Sequence, residues 1–436
     1  MTIDPQGERA AFAWRSEAYA WFVVALLALS FALAMLDRML LVLMVEPIKA
    51  DLGLTDTQVS LLHGLAFTLF YVVFSLPLGR MADRLNRRTL VVGSVVGWSL
   101  ATAAGAGAGS FVQLFAARLA VGVGEAGLSP AANSIIADYF PRSRVARPIA
   151  YYSLGGTGGA GLSLLLGGVL IQGLQDNPPP FLGGLAAWKA AFLVAGALGL
   201  VFALALLVVR EPPRLETGRA AAIQGRPSLL PFLKSRAGFL AAHMVGCALV
   251  GAVVLAMHAW LPTVLVRRFS LSAGEVGRTY GLVVTLASVA GVLLAGQLVQ
   301  ILKGRGVRGA AQLVALVAAA LAAPAAMVAA LAPSPMICVA LAGCALFLMS
   351  MPLALAPVAL QLVAPNALRG QVYAIYVLVL SALGYVAAPT AVALLTDHVF
   401  GVSQVGCSIA AFASACTPVA GLLLWAAWRM APHQAE

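Results

Sequence analysis

The chain has 436 residues, of which 61% are hydrophobic and 10% are charged, and its formal net charge is +11. Soluble domains carry roughly 25% charged residues, so this composition excludes an ordinary soluble protein and a disordered one. In a membrane protein, an excess of Lys and Arg is typical of basic loops between helices, so we predict no nucleic-acid partner.

Long apolar runs recur along the whole chain. Most exceed the roughly 20 residues that a helix needs to cross a bilayer, and their length excludes the alternating pattern of a membrane β-barrel. The runs lie near residues 19–45, 58–78, 89–108, 111–138, 146–173, 187–209, 237–265, 277–301, 309–332, 335–362, 370–396 and 403–428. They predict an all-α membrane protein with twelve transmembrane helices.

A polar, Pro-rich segment after the sixth run divides the chain into two six-helix bundles that look like distant copies. Within this segment, residues 231–234 predict the start of a short surface helix. The predicted organisation is an N-terminal cytoplasmic segment 1–18, a bundle 19–210, a cytoplasmic linker 211–236, a second bundle 237–429 and a C-terminal tail 430–436.

The distribution of Lys and Arg predicts the orientation. If the N-terminus is cytoplasmic, twenty of the 27 Lys and Arg residues lie in cytoplasmic segments and five lie in the loops on the other side. Cytoplasmic loops of membrane proteins are enriched in Lys and Arg. We therefore expect both termini in the cytoplasm, in a bacterial-type inner membrane.

Four charged residues, Asp37, Arg38, Arg118 and Glu125, fall deep inside the first and fourth predicted helices. Each costs roughly 2.5–3.5 kcal/mol at the centre of a membrane helix, so they must form pairs or face water. Asp37 and Arg38 are adjacent and point about 100° apart on a helix. We predict a cross-helix pair between Arg38 and Glu125. The alternative is a permanent buried pair that only fixes helix register.

The loop after the second helix reads Gly79-Arg80-Met81-Ala82-Asp83-Arg84-Leu85-Asn86-Arg87-Arg88. It resembles the signature loop of the major facilitator superfamily, G-x-x-x-D-R-x-x-R-R, at Gly79, Asp83, Arg84, Arg87 and Arg88. The resemblance implies two pseudo-symmetric six-helix bundles and a cytoplasmic gate in which the acidic residue latches the two halves. A solvated basic turn is the alternative interpretation.

Four shorter segments narrow the resemblance. Met35–Arg38, Arg118–Ala126, Ser129–Ala131 and Asp138–Pro141 are similar to the spinster branch of the superfamily, which is associated with lysophospholipids and sphingosine-1-phosphate. This resemblance implies functional roles for Asp37, Arg38 and Glu125. It implies a role for Arg118 more weakly. Related organic-anion symporters also carry an Asp and an Arg on helix one.

We therefore expect a secondary transporter that moves an amphipathic anionic lipid by alternating access. Arg presents a planar fork for phosphate, and a carboxylate that competes for the same Arg becomes a switch when it takes up a proton. Weaker cavity candidates on the second bundle are Ser350, Gln361, Tyr373 and Tyr376. The main alternative is a proton-coupled symporter of small organic anions, followed by a multidrug exporter.

Signals for other classes of protein are weak. The five Cys form no CxxC pair and no HExxH motif occurs, so we expect no metal or cofactor, and protons are the candidate coupling ion. Gly127-Leu128-Ser129 resembles an intramembrane nucleophile, but Pro130 follows and no base is placed by a visible pattern, which argues against an enzyme. A filter motif of a channel is also missing. We expect a monomer whose partners are its substrate and membrane lipids.

Overall fold

The computed structural model describes residues 16–141, 144–182, 184–214, 228–365 and 368–431, and these residues form helices and connecting turns without a strand. Some sequence predictions fall outside the described residues. They are residues 1–15, the linker residues 215–227, the tail residues 432–436, and the basic residues Arg9, Arg15, Arg142, Arg219 and Arg226.

The first six predicted helices are all present, and several are interrupted. The elements are α1 (Glu17–Leu43), α2 (Val45–Leu52), α3 (Asp56–His63), α4 (Leu65–Arg84), α5 (Arg87–Gly105), α6 (Phe111–Glu125), α7 (Leu128–Tyr139), α8 (Ala146–Asp176) and α9 (Ala187–Leu206). Elements α3 and α4 together form the second predicted helix, and α6 and α7 form the fourth. The predicted runs therefore agree with the helices to within a few residues.

The second six helices also agree with the predicted runs. The elements are α10 (Leu229–Ser235), α11 (Ala237–Phe269), α12 (Ala273–Val276), α13 (Leu282–Gly304), α14 (Ala310–Val328), α15 (Pro335–Val363), α16 (Arg369–Leu380), α17 (Ala388–Leu395) and α18 (Val405–Arg429). Wider π-helical turns occupy Gly277–Gly281, Ser381–Ala387 and Thr396–Phe400. The short surface helix predicted at residues 231–234 is α10.

Eleven helical stretches of the described chain are long and apolar enough to cross a membrane. The remaining predicted run corresponds to α5, which has 19 residues, begins with two arginines and contains several Gly, Ser and Thr residues. Polar residues of this kind lower the hydropathy of a helix without preventing it from packing among other membrane helices.

Local sequence explains where the helices of the first bundle begin. The side chain of Asn86 accepts a hydrogen bond from the backbone N–H of Thr89 and caps α5 directly after the signature loop. Ser110 caps α6 in the same way through Gln113. Such caps satisfy N–H groups that the first turn of a helix leaves without a partner. They place the start of α5 and the start of α6 at defined positions in the chain.

The glycine-rich stretch of α8 allows close packing against α1. A methyl group at Gly155 would collide with the backbone carbonyl oxygen of Ala28, and one at Gly159 would press on Ala32. Small residues permit this approach of backbones, which is a common way to join membrane helices. The glycines of this stretch therefore serve helix packing.

The described chain divides into two units. The first unit comprises residues 16–41 and 66–214, and the second comprises residues 42–65 and 228–431. The sequence assigns residues 42–65 to the N-terminal bundle, whereas the structure groups them with the C-terminal helices. The reason is physical, since this hairpin forms ion pairs and hydrogen bonds with α11 and with the helix from Arg369 to Phe400.

Candidate functional site

Arg38 on α1 and Glu125 at the end of α6 form an ion pair in the interior of the first unit. Nε of Arg38 donates a hydrogen bond of 3.0 Å to Oε2 of Glu125, and Nη2 of Arg38 donates to the same oxygen. The side chain of Glu125 is 1% exposed and that of Arg38 is 15% exposed. The structure thus brings together the two residues that the sequence pairs, and the arginine is the more accessible partner.

The guanidinium of Arg38 also lies on aromatic rings of α4. Its Cζ is 4.0 Å from the ring centroid of Phe67 and 5.6 Å from that of Tyr71. These two rings are stacked on each other with centroids 5.3 Å apart. A cation over an aromatic face is attracted by the negative charge density of that face. Arg38 is therefore held along one edge by a carboxylate and at its Cζ by a ring.

Asp37 and Arg118 form a second ion pair in the first unit. Nη1 of Arg118 donates a hydrogen bond of 2.8 Å to Oδ2 of Asp37, and the hydroxyl of Thr102 donates to Oδ1. Both charged side chains are almost completely buried. Asp37 thus turns away from Arg38 towards α5 and α6. A charge pair this deeply enclosed is costly to break, because each partner would remain buried without compensation.

The signature loop has a buried arginine at its centre. Arg87 donates to the carboxylate of Asp138, to Oε1 of Glu211 at 2.7 Å and to the backbone oxygen of Pro212 at 2.9 Å. The backbone N–H of Arg88 donates to the other oxygen of Glu211 at 2.9 Å. These bonds join α5, α7 and the beginning of the linker, so Arg87 holds these three segments of the first unit together.

The other residues of the signature motif lie around this centre. The side chains of Asp83 and Arg84 are exposed, and the backbone oxygen of Asp83 accepts a hydrogen bond from Arg214 of the linker. Gly79 passes close to the ring of Pro130 on α7. The latching role that the resemblance implies for Asp83 remains a prediction.

The four residues that the sequence offers as weaker candidates for lining a substrate cavity lie in the second unit and have different surroundings. The hydroxyl of Ser350 donates to the backbone oxygen of Phe347, which is a bond within its own helix. Gln361 and Tyr373 are exposed. Tyr376 is buried, and its hydroxyl forms no hydrogen bond within the described residues. The structure does not gather these side chains into one polar cluster.

The sequence did not single out a charged cluster that lies in the second unit. Both terminal nitrogens of Arg267, at the end of α11, donate to the carboxylate of Asp56 at 2.7 Å, and its Nε donates to Glu46 at 2.8 Å. Lys49 also pairs with Asp56, which is fully buried. The capping box that begins at Thr55 marks this helix start in the sequence, but the distant partner on α11 leaves no local signal.

Further polar contacts join the same hairpin to the helix from Arg369 to Phe400. Thr57 donates to Oδ2 of Asp397 through its backbone N–H at 2.8 Å and through its hydroxyl at 2.6 Å. Ser60 lies 3.4 Å from Thr390, and Gly64 packs on the backbone oxygen of Tyr385. The hairpin is therefore an integral part of the second unit.

The family model described as Major Facilitator Superfamily matches residues 27–389, which is most of the chain and includes Asp37, Arg38, Arg118 and Glu125. The chain belongs to this superfamily. The predicted fold of twelve transmembrane helices in two related bundles is thereby confirmed, and the protein is a multi-pass membrane protein of a transporter family.

Several curated relatives are similar over part of their length. An MFS-type efflux pump of Mycolicibacterium smegmatis is 33% identical over 66% of this chain and 64% of its own. The probable L-galactonate transporter of Escherichia coli is 26% identical over 58% of this chain and 56% of its own. Protein spinster of Drosophila melanogaster is 24% identical over 65% of this chain and 46% of its own. The matched part of this chain thus spans less than two thirds of each of these relatives.

Solved structures share the fold over almost the whole chain. A bacterial homologue of the human lysosomal transporter Spinster, in an inward-facing and unoccupied conformation, superposes with a TM-score of 0.81 and 23% identity, covering 97% of this chain and 100% of that one. A D-xylose–proton symporter superposes with a TM-score of 0.75 and 16% identity, covering 96% and 98%. The resemblance to the spinster branch is confirmed, and at these identities the structures show the common fold.

Proposed function

We propose that this member of the superfamily transports an amphipathic anion of the lysophospholipid type by alternating access, with Arg38 as the anchor for the anionic head group. The observation that carries the proposal is the pairing of a partly accessible Arg38 with a fully enclosed Glu125 inside the membrane region. Ionisable residues in membrane helices are rare, and they commonly mark substrate or ion pathways.

The chemistry of the pair suits an exchange of partners. The planar guanidinium binds phosphate and carboxylate through the same N–H groups, so an incoming anion competes with Glu125 for Arg38. Oε1 of Glu125 is buried and accepts no hydrogen bond within the described part of the chain. We propose that Glu125 takes up a proton when the anion binds, which would make protons the coupling ion.

Asp37 is the second acidic residue of the proposed site. Its bonds to Arg118 and Thr102 enclose it more fully than Arg38 is enclosed. We propose that this pair holds α1 against α5 and α6 while the neighbouring Arg38 changes partners. A role as a second acidic switch would require Asp37 to leave Arg118, at a high cost in this surrounding.

The second unit suits an acyl chain better than a head group. In its described spans the charged side chains are confined to the terminal turns, and the interior turns carry none. Tyr373 and Tyr376, with ring centroids 6.4 Å apart, would contribute aromatic surface, and Ser350 and Gln361 are weaker candidates. The apolar composition of the second unit therefore favours an amphipathic substrate over a small polar one.

A second candidate function is proton-coupled symport of small organic anions. It is favoured by the names of several relatives, which include transporters of L-galactonate, D-galactonate and hexuronate. These are carboxylates, and Arg38 would bind them by the same chemistry. The similarity to an efflux pump makes export of drugs a third possibility, and transport rather than catalysis is common to all three.

We further propose that the protein is a monomer of the bacterial inner membrane with both termini in the cytoplasm. The excess of Lys and Arg on that side of the predicted topology supports this orientation. The signature loop would then face the cytoplasm, where Asp83 and the arginines around Arg87 would form the gate.

The test is transport by the purified protein in proteoliposomes. Uptake and thermal stabilisation are measured with lysophosphatidylglycerol and with D-galactonate, because a ligand stabilises the state that binds it. We expect the lysolipid to be taken up, Arg38→Ala to abolish uptake, and Arg278→Ala, at an exposed arginine outside the site, to leave it intact. Unchanged uptake by Arg38→Ala would refute the anchoring role, and selective uptake of D-galactonate would establish the second candidate.

A further inference from the structure

We propose that Phe67 is the positioning residue for Arg38: its ring retains the guanidinium in the binding orientation when Glu125 is not paired with it. The inference rests on the proposed function of Arg38 as the anion anchor. It concerns a residue that is uncharged and that the charge pattern of the sequence does not mark. Its starting point is the 4.0 Å distance between Cζ of Arg38 and the ring centroid of Phe67.

The ring and the carboxylate use different surfaces of the guanidinium. Glu125 accepts its hydrogen bonds from Nε and Nη2, which lie along one edge of the planar group. Cζ of Arg38 lies over the ring of Phe67, 4.0 Å from its centroid, while Nε and Nη2 direct their hydrogen bonds to Glu125. An anion that replaces Glu125 therefore needs to bind only the edge of the guanidinium that carries Nε and Nη2. The contact with the ring can persist through the exchange of partners.

Retention matters because an arginine side chain is long and flexible. Ordering such a side chain costs conformational entropy, and a binding group that is already ordered avoids this cost when its ligand arrives. After the loss of Glu125 as a partner, the orientation of Arg38 depends on its remaining contacts, of which the ring of Phe67 is one. A ring beneath the guanidinium restricts it to the orientation in which its edge faces the incoming anion.

The ring itself is held firmly. Phe67 is 4% exposed and stacks on Tyr71 with centroids 5.3 Å apart. A methyl group at Gly122 would collide with the backbone oxygen of Phe67, so the backbones of α4 and α6 are in direct contact there. Since Glu125 follows Gly122 by three residues on α6, the ring and the carboxylate occupy fixed positions relative to each other.

A substrate-independent test uses the Glu125→Gln background, in which the edge partner of Arg38 is neutral. Thermal unfolding midpoints are measured for four variants: Glu125→Gln alone, Glu125→Gln with Phe67→Leu, Glu125→Gln with Arg38→Met, and the variant that carries all three substitutions. We expect Phe67→Leu to lower the midpoint more when Arg38 is present than when Met replaces it. Additive shifts would overturn the proposal, because they would show that the ring contributes only packing.

The transport test compares substitutions of neighbouring aromatic residues of α4. We expect Phe67→Leu to raise KM for the transported anion about tenfold at nearly constant maximal rate, as estimated from the strength of a buried cation–ring contact. Phe67→Tyr should restore KM because it keeps the ring. The matched control is Phe70→Leu, which removes a ring that pairs with Phe74.

The two tests separate failure of this proposal from failure of the proposed function. If neither lysophosphatidylglycerol nor D-galactonate is transported by the unchanged protein, the substrate assignment fails, and the unfolding cycle still decides the role of Phe67. If an anion is transported and Phe67→Leu behaves like Phe70→Leu, with additive unfolding shifts, Phe67 has no positioning role.

Discussion

Arg38 directs two N–H groups to a single oxygen of Glu125 and leaves the other carboxylate oxygen of that residue buried without a hydrogen bond from the described residues. A side-by-side pairing of both oxygens with the guanidinium fork would be the stronger arrangement. In the observed pair, Oε1 of Glu125 is therefore not used in binding Arg38. In the proposed coupling mechanism, this oxygen is where Glu125 would take up the proton.

Glu125→Gln should abolish the dependence of transport on a pH gradient while preserving exchange of anion for anion. The amide cannot ionise, so it neither competes as a charge for Arg38 nor carries a proton. We also expect the affinity for the anion at neutral pH to rise about tenfold, because a charged competitor has been removed. Counterflow and gradient-driven uptake, measured in the same proteoliposomes, separate the two effects. A variant that still accumulates anion in response to a pH gradient would exclude Glu125 as the coupling residue.

Substitution of one partner of the Asp37–Arg118 pair should destabilise the protein, whereas substitution of both should be tolerated. Arg118→Met alone leaves Asp37 buried without a counter-charge, at a cost of about 3–5 kcal/mol. Asp37→Asn combined with Arg118→Met removes both charges, and we expect most of the stability to return. Thermal unfolding in detergent measures each variant. Full stability of the single substitution would contradict the enclosed, structural character of this pair.

The ion pairs of Asp56 should stabilise the second unit. Asp56→Asn withdraws the charge that faces Arg267 and Lys49, and we expect a loss of about 3–5 kcal/mol because Lys49 would lose a buried carboxylate partner and Arg267 would lose the buried one of its two. Glu46→Gln should have a much smaller effect, since the Glu46 side chain is 39% exposed and exposed pairs contribute about 0–1 kcal/mol. The two variants are compared by thermal unfolding. Equal losses would show that burial is not what distinguishes these carboxylates.

Gly122→Ala should weaken both stability and anion binding. The added methyl group would push α4 away from α6, and overpacking of this kind costs about 1–3 kcal/mol. Because the displaced backbone carries Phe67, KM should also rise. The control is Gly173→Ala on α8, where a methyl group meets no atom within 4 Å and where alanine favours the helix. If the two alanine variants behave alike, the close approach of α4 to α6 is not required.

Much of the fold was predictable because membrane helices leave a strong local signal. The length of each apolar run follows from the thickness of the bilayer, and all twelve runs correspond to helices. Even the short helix α10 follows from its sequence. The interruption of the second helix at Gly64 and the three π-helical segments were not predicted, since they depend on how neighbouring helices pack against those turns.

The candidate site was predictable only in part. The cost of charge in lipid identifies Arg38 and Glu125 from the sequence, and it favours a pair because isolated charges there are expensive. The same reasoning cannot find Phe67, because an apolar ring in an apolar helix carries no distinguishing signal. It also cannot find the pairing of Asp56 with Arg267, whose positions are separated by 211 residues in the chain.

The amino-acid sequence by itself determined the membrane class, the approximate positions of the twelve apolar helices and the four charged residues deep within helices one and four, because each follows from the local cost of placing polar groups in lipid. Only the tertiary structure decided that Asp37 meets Arg118, which ring lies beneath Arg38, and that residues 42–65 belong with the C-terminal helices. These relationships depend on the distances between side chains of different helices, and such distances are set when the helices pack together.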